Sequence, residues 1–282
     1  MFEVTHTTRF SYEALVSRCL NEVHLTPRAL PWQTVYQSTL VVDPAPATFQ
    51  HRKDYFGNDA STFAVIEQHD RLTATATSLV KVETRQQPKS DLAWEIARDQ
   101  IAAAVDDSCL EAAEFIYSSP FVPILKELVP FAGESFKPGR PLLEAASELS
   151  HRIFKEFKYD PKATSIEAPL VEVLRNKHGV CQDFAHLMIG ACRSLRLAAR
   201  YVSGYVRSGP RVQGAQASHA WVSVFIPNIG WVPFDPTNDV MPSENHVTLA
   251  WGRDYGDVTP VKGVTLGGGL QTVQVEVYVN PV

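Results

Sequence analysis

Three residues in the C-terminal half carry side chains that together suit acyl transfer. Cys181 follows Gly179-Val180 and opens a mostly apolar run to Leu195. A cysteine in the first turn of such a helix meets unpaired backbone N–H groups and the positive end of the macrodipole, which favour a thiolate over a thiol. His219, in Ser218-His219-Ala220-Trp221, opens a strand pattern, and Asp235, in Trp231-Val232-Pro233-Phe234-Asp235-Pro236-Thr237, closes the next. A histidine can take the thiol proton, and an aspartate on its other nitrogen orients the ring and stabilises the imidazolium. Each has a plainer reading alone: a small core residue, a half-buried strand histidine and a turn aspartate bonding its own backbone.

Whether His219 and Asp235 meet depends on the parity of the loop between their strands. Side chains alternate faces, so a one-residue slip would separate them. Pro227-Asn228-Ile229-Gly230 is a hairpin signal. A three-residue loop at 227–229 sets 219 opposite 237 and leaves Asp235 on the same face, about 7–8 Å away diagonally. A two-residue loop would break the arrangement.

Other constellations are weaker. His178, Cys181 and His186 offer nitrogen and sulfur donors but lack a paired second half and any zinc-finger or HExxH spacing, so no metal is expected. Cys192 lies eleven residues beyond Cys181 on the same helix, about 16 Å along its axis, which forbids a disulfide and makes it core. Gly267-Gly268-Gly269 lacks the strand-loop-helix setting and lysine of a phosphate loop and reads as a turn. Asp254, Tyr255 and Asp257 read as a solvated loop.

The surrounding pattern supplies the elements. Period-two alternation at Phe2-Val4-His6-Thr8-Phe10 and Leu72-Ala74-Ala76, with Pro27, Pro31, Pro44, Pro46 and the turn Gly57-Asn58-Asp59 between, predicts an N-terminal β-sandwich over residues 1–88. The texture changes near 85–91, and helices are predicted over 92–105, 109–118 and 141–157. Two helices follow from 169, the second over 180–195, then strands at 199–206, 217–226 and 230–235. A strand at 272–278 closes the chain, so residues 89–282 read as an α+β unit with C-terminal strands.

Composition sets limits. The net charge of −5, from 26 basic and 31 acidic residues, gives no basic excess for nucleic acid or an anionic membrane. No apolar stretch approaches the roughly 18 residues of a spanning helix. Without a signal-peptide pattern at the start, and with four widely spaced cysteines, a reducing cytoplasm is the expected setting.

With these residues in hand, the chain resembles the bacterial transglutaminase-like superfamily, of the type labelled cysteine proteases, with an N-terminal transglutaminase-associated β domain. The resemblance rests on residues 179–186 (GVCQDFAH), 199–205 (ARYVSGY), 218–221 (SHAW) and 231–237 (WVPFDPT), in that order. Residues 6–12, the turn 56–58 and residues 252–258 (GRDYGDV) extend it over the whole chain. It implies a papain-like, transglutaminase-like catalytic core with Cys181, His219 and Asp235 as nucleophile, base and orienting residue. Gln182, Asp183, Trp221 and Tyr205 are expected around them as supporting or substrate-contacting residues, and the Cys181 N–H as an oxyanion donor. The resemblance leaves protein crosslinking, amide hydrolysis and acyl transfer open; the expected reaction is amide or isopeptide cleavage of a peptide or protein through a thioester, without cofactor, and without calcium because no EF-hand-type run of oxygen ligands is present. Acyl transfer to an amine and a non-catalytic protein-binding module are the alternatives.

Overall fold

The computed structural model describes residues 1–161, 169–210, 212–215 and 217–282. Its first unit is built on one long strand, β1 (Phe2–Val23), followed by β2 (Gln33–Asp43), β3 (Thr48–Lys53), β4 (Asp59–Val65) and β5 (His69–Val82). The sequence predicts a sandwich here, whereas the hydrogen bonds trace one connected sheet in the order β2-β5-β1-β4-β3. The reason is the length of β1: residues 2–11 pair with β5, and residues 19–23 pair with β4. One strand thereby serves two stretches of sheet.

The helical segment contains α1 (Trp94–Ala102), α2 (Asp107–Ala112) running into a 3-10 turn at Ala113–Ile116, α3 (Leu128–Gly133) and α4 (Leu142–Glu156). Only α3 was not predicted. Next come β6 (Lys158–Tyr159), α5 (Leu170–Asn176), β7 (His178–Gly179) and α6 (Cys181–Ser194). The parallel two-residue ladder of β6 and β7 ties the chain just before Cys181 to the end of α4.

A second, antiparallel sheet follows from β8 (Ala199–Val206), β9 (His219–Ile226), β10 (Gly230–Phe234) and β11 (His246–Gly252), in the order β10-β9-β8-β11. Every residue of β8 and β9 is buried, and so is every residue of α6 from Cys181 to Arg193. The continuous apolar run predicted over 180–195 is therefore a central helix packed on all sides, with no solvent face. Ala220, Val222, Val224 and Ile226 of β9 join its core cluster.

The last strands, β12 (Val261–Gly267) and β13 (Gln271–Pro281), are joined by a turn in which Gly267, Gly268 and Gly269 all have positive φ. By sequence order they were grouped with the second unit, but both pair antiparallel with β1 of the first sheet. The two sheets also meet through β11, an edge strand with backbone groups free to pair. Gln33 donates to the Thr248 carbonyl and accepts the Thr248 N–H, both at 2.8 Å. Asn58 does the same with Trp251, at 2.8 and 2.9 Å. Each buried amide side chain imitates a neighbouring strand and blunts that edge. No helix among the described residues is long and apolar enough to cross a membrane.

Candidate active site

Cys181 is the first residue of α6, whose N-cap is the extended Val180. The helix start is held by Asp183, whose carboxylate accepts the Val180 N–H at 2.8 Å. That bond satisfies an orphan donor and leaves the Cys181 N–H in the first turn. Gln182 is buried alongside.

Of the two loop lengths the sequence left open, the hairpin has the three-residue one: Gly230 pairs with Ile226 and Phe234 with Val222, a register that keeps 235 on the face of 219. His219 Nε2 donates to Asp235 Oδ2 at 2.8 Å, with both side chains fully buried. His246 Nε2 donates to the same oxygen at 3.1 Å, and Asn238 Nδ2 at 2.8 Å. The other oxygen, Oδ1, accepts the backbone N–H groups of Thr237 and Asn238 at 2.9 and 3.2 Å. The plain turn reading of Asp235 thus holds for one oxygen, while the other is given to imidazoles. A carboxylate with five donors is held ionised.

The electrostatics follow. Burial opposes charge on His219, but the Asp235 carboxylate, the hydrogen bond to it and contact with Cys181 outweigh burial and push the imidazole up to about 10. Burial likewise opposes charge on Asp235, and His219 and His246 hold it far below the usual carboxylate range. His246 moves the other way: burial, together with the positive charges of His219 and Arg85, outweighs Asp235 and lowers it. One imidazole on this carboxylate is charged at neutral pH, and its neighbour is neutral.

With Nε2 on Asp235, His219 Nδ1 is buried and meets no oxygen or nitrogen acceptor among the described residues, while the Cys181 side chain acts on the ring both as a hydrogen-bonding partner and by its charge. Gly214 lies over this nitrogen. It has φ +80°, and a Cβ there would stand 2.6 Å from Nδ1, so the position accepts only glycine. Cys181 is 8% exposed, buried but not fully closed off from solvent.

Trp221 is brought to the cluster, with ring centroids 6.1 Å from His219 and 5.3 Å, edge-on, from His246. It reaches across β8 because Gly204 has no side chain: a Cβ there would meet the Trp221 ring at 2.4 Å. Tyr205 is not brought there. It follows Gly204, which pairs with His219, and so faces the other side of β8. Its hydroxyl bonds His6 Nδ1 of the first sheet at 2.9 Å.

His246 and Asn238 escaped the sequence reading. Asn238 was within reach of it, three residues after Asp235, as an amide beside a buried carboxylate. His246 opens β11 as His219 opens β9, but β11 reaches the site through β8, a long-range pairing that no local pattern reports. Two tyrosines beside the thiol were also missed. Burial and Cys181 push Tyr159 up to about 12 and also raise Tyr201 well above the ordinary tyrosine value, so both hydroxyls keep their protons.

Of the weighed metal donors, His186 is a core residue, stacked on Phe121, tilted against Tyr201 and accepting the Tyr255 N–H at 3.2 Å. Burial lowers it to about 3. His219, Asp235 and His246 place donor atoms within 4.8 Å of one another. Both nitrogens, however, stand at hydrogen-bond distance from one oxygen, the geometry of two N–H donors on a carboxylate, and a cation would have to displace both protons. The loop at 254–257 is also a correction: Asp254 is buried and accepts the Phe121 and Gly256 N–H groups, both at 2.9 Å.

Sequence comparison bears on this arrangement directly. The transglutaminase-like superfamily core profile matches residues 131–236, and the bacterial transglutaminase-like N-terminal region matches residues 2–81. An uncharacterized protein of Mycobacterium tuberculosis is 37% identical over 280 residues, covering 93% of this chain and 87% of its own length. The chain belongs to the transglutaminase-like superfamily. An uncharacterized Mycobacterium leprae relative is 31% identical over 285 residues, covering 98% of this chain and 97% of its own. Among solved structures of this superfamily's fold, a "putative cysteine protease" from Cytophaga hutchinsonii superposes with a TM-score of 0.75 at 19% identity, over 100% of this chain and 91% of that one.

Proposed function

We propose that this transglutaminase-like protein is a thiol enzyme that cleaves an amide or isopeptide bond in a peptide or protein, with Cys181 as nucleophile, His219 as proton carrier and Asp235 as its orienting partner. The observation that carries the reading is the division of labour on His219: Nε2 is bound to an ionised carboxylate, while Nδ1 meets no oxygen or nitrogen acceptor among the described residues and the Cys181 side chain acts on the same ring. Because the imidazole is held protonated at neutral pH, His219 Nδ1 already holds the proton drawn from the thiol before substrate binds, and the thiolate sulfur attacks the carbonyl carbon. The C–N bond breaks as Nδ1 returns that proton to the leaving amine, and a thioester remains on Cys181. Water, giving a proton to Nδ1, attacks the thioester and releases the acid and the sulfur.

The developing oxyanion is met by the Cys181 N–H in the first turn of α6, and we assign the second donor to the protonated, partly exposed Tyr159 hydroxyl. An amine in place of water gives acyl transfer from the same intermediate. All four cysteines are free and buried, which supports a reducing, cytoplasmic setting.

Iodoacetamide labelling, read cysteine by cysteine, tests the reading without a substrate. Cys181 is expected to label faster than Cys19, Cys109 and Cys192 near neutral pH. His219→Ala should slow it by about 10²-fold, and Gly214→Ala, which drives a methyl onto Nδ1, by about tenfold. Labelling of Cys181 at the rate of the other three would sink the proposal and leave a protein-binding role for the fold.

A further inference from the structure

The same sheet holds a second buried cation that the proposed chemistry does not use. Arg200, on β8, is only 8% exposed, and no hydrogen bond or ion pair joins its guanidinium to any described residue. Its Nε is buried without an acceptor. The guanidinium lies 4.2 Å from the ring centroid of Trp231 and 3.8 Å from that of Trp251. Burial and the nearby charge of Arg28 both bear against its own charge, with no carboxylate in compensation.

Among the described residues, the other buried arginine, Arg193, and the half-buried Arg28 are both satisfied. Arg193 donates to the carbonyls of Phe115, Ala199 and Arg253 and to the Ser119 hydroxyl. Arg28, which also stacks on Trp251, is bound to the Phe56 carbonyl and to Asn58. Arg200 is instead part of the wall of an open cleft of about 480 Å³, whose other walls include Tyr55, Phe56, Phe115, Trp231 and Trp251. Aromatic faces hold the guanidinium flat but take none of its N–H groups, which are left for a planar acceptor.

We infer that this cleft is a binding site for a carboxylate carried on an apolar or aromatic body, with Arg200 as its anchor. Glu111 and Glu114 also line the cleft, and Glu114 is engaged by the Tyr55 hydroxyl. Neither reaches Arg200, and their charge disfavours a dianion such as phosphate, so the site suits a single negative charge. Arg200 pairs with Ser223, four residues along β9 from His219, which puts the cleft about 13 Å from the histidine at the rise of a strand. The site is therefore separate from the cysteine-histidine cluster and does not depend on the catalytic proposal.

Trp231 and Trp251 serve as reporters. Tryptophan fluorescence of the full chain is titrated with 3-phenylpropionate, as a free acid, and with acetyl-Ala-Ala-Phe, as a peptide end, each against its amide and against inorganic phosphate. The tighter acid names the source. A saturable response is expected for at least one acid below about 10 mM, with the amide and phosphate at least about tenfold weaker. Arg200→Met should lose the acid response and Arg200→Lys keep part of it, with Cys181 labelling at the wild-type rate in both as evidence of a native fold. Equal response to acid and amide, no saturation by either acid, or an undiminished response in Arg200→Met would each overturn the inference.

Discussion

Arg193 and Arg200 stand seven residues apart, on either side of the turn from α6 into β8, and both are buried. Arg193 sits in the last turn of α6, where a cation meets the negative end of the helix dipole, and its N–H groups are taken by three carbonyls and a hydroxyl. Arg200 has two indole faces and no acceptor. A buried cation with every donor placed is a strut that joins segments of the chain. One with donors unplaced, beside a cleft, is costly to the fold alone, because the desolvation it suffers is not offset by any bond it makes. His219 is a third case, buried and charged, but compensated by a carboxylate that five donors hold in its ionised form.

The widest difference is expected from removing the strut. Arg193→Met strands the carbonyls of Phe115, Ala199 and Arg253 in a dry interior, and it should lower the unfolding free energy by about 3–5 kcal/mol. Urea denaturation at pH 7 measures this. A loss below about 1 kcal/mol would mean that the carbonyls find other donors and that Arg193 is no more structural than Arg200.

Asp235→Asn tests the third cation and should cost about 2–3 kcal/mol near pH 6. His219 has a native value raised from 6.5 to about 10, so its contribution is full below 6.5 and is lost as pH rises through 10. Asp235 is depressed from 3.8, so its contribution is present above 3.8 and is lost as pH falls through its lower native value. The gap between wild type and variant should therefore be widest between about pH 4 and 6.5 and close toward pH 10. In the variant only Cys181 still opposes burial at His219, and its imidazole NMR signals should shift toward those of a neutral ring at pH 7. A gap that did not vary with pH would assign the cost to packing instead of charge.

What the sequence made legible was what local periodicity carries. The strand pattern of the first 80 residues, the helix beginning at Cys181, and the odd loop that keeps Asp235 with His219 are all short-range properties, and the structure has each of them. The strands of the first unit were legible but their pairing was not, because alternation reports that a strand has two faces and does not say which strands share β1. The return of β12 and β13 to β1, across more than 200 residues, leaves no local trace. Within the site, Tyr205 was expected near the cysteine because it lies in a quoted motif, but alternation past Gly204 turns it toward His6. Asp254 looked solvated because acidic residues in loops usually are. Its burial follows from donating backbone groups at residues 121 and 256, the first of which only the folded chain supplies.

The smallest effect is expected at Arg200. Replacing an unpaired buried cation by an apolar side chain of similar length removes two cation–π contacts, each about 0.5–2 kcal/mol, and with them the cost of keeping the charge out of water. The two oppose each other, and Arg200→Met should unfold within about 1 kcal/mol of wild type, in either direction. The same substitution at Arg193 and at Arg200, in one urea series, then separates the two roles by their energetics alone. A loss at Arg200 as large as that at Arg193 would place it with the struts and would require acceptors that the guanidinium reaches only in solution. Near-neutral stability would mean that the chain retains this charge at no benefit to its fold, which is the energetic signature of a residue kept for a ligand.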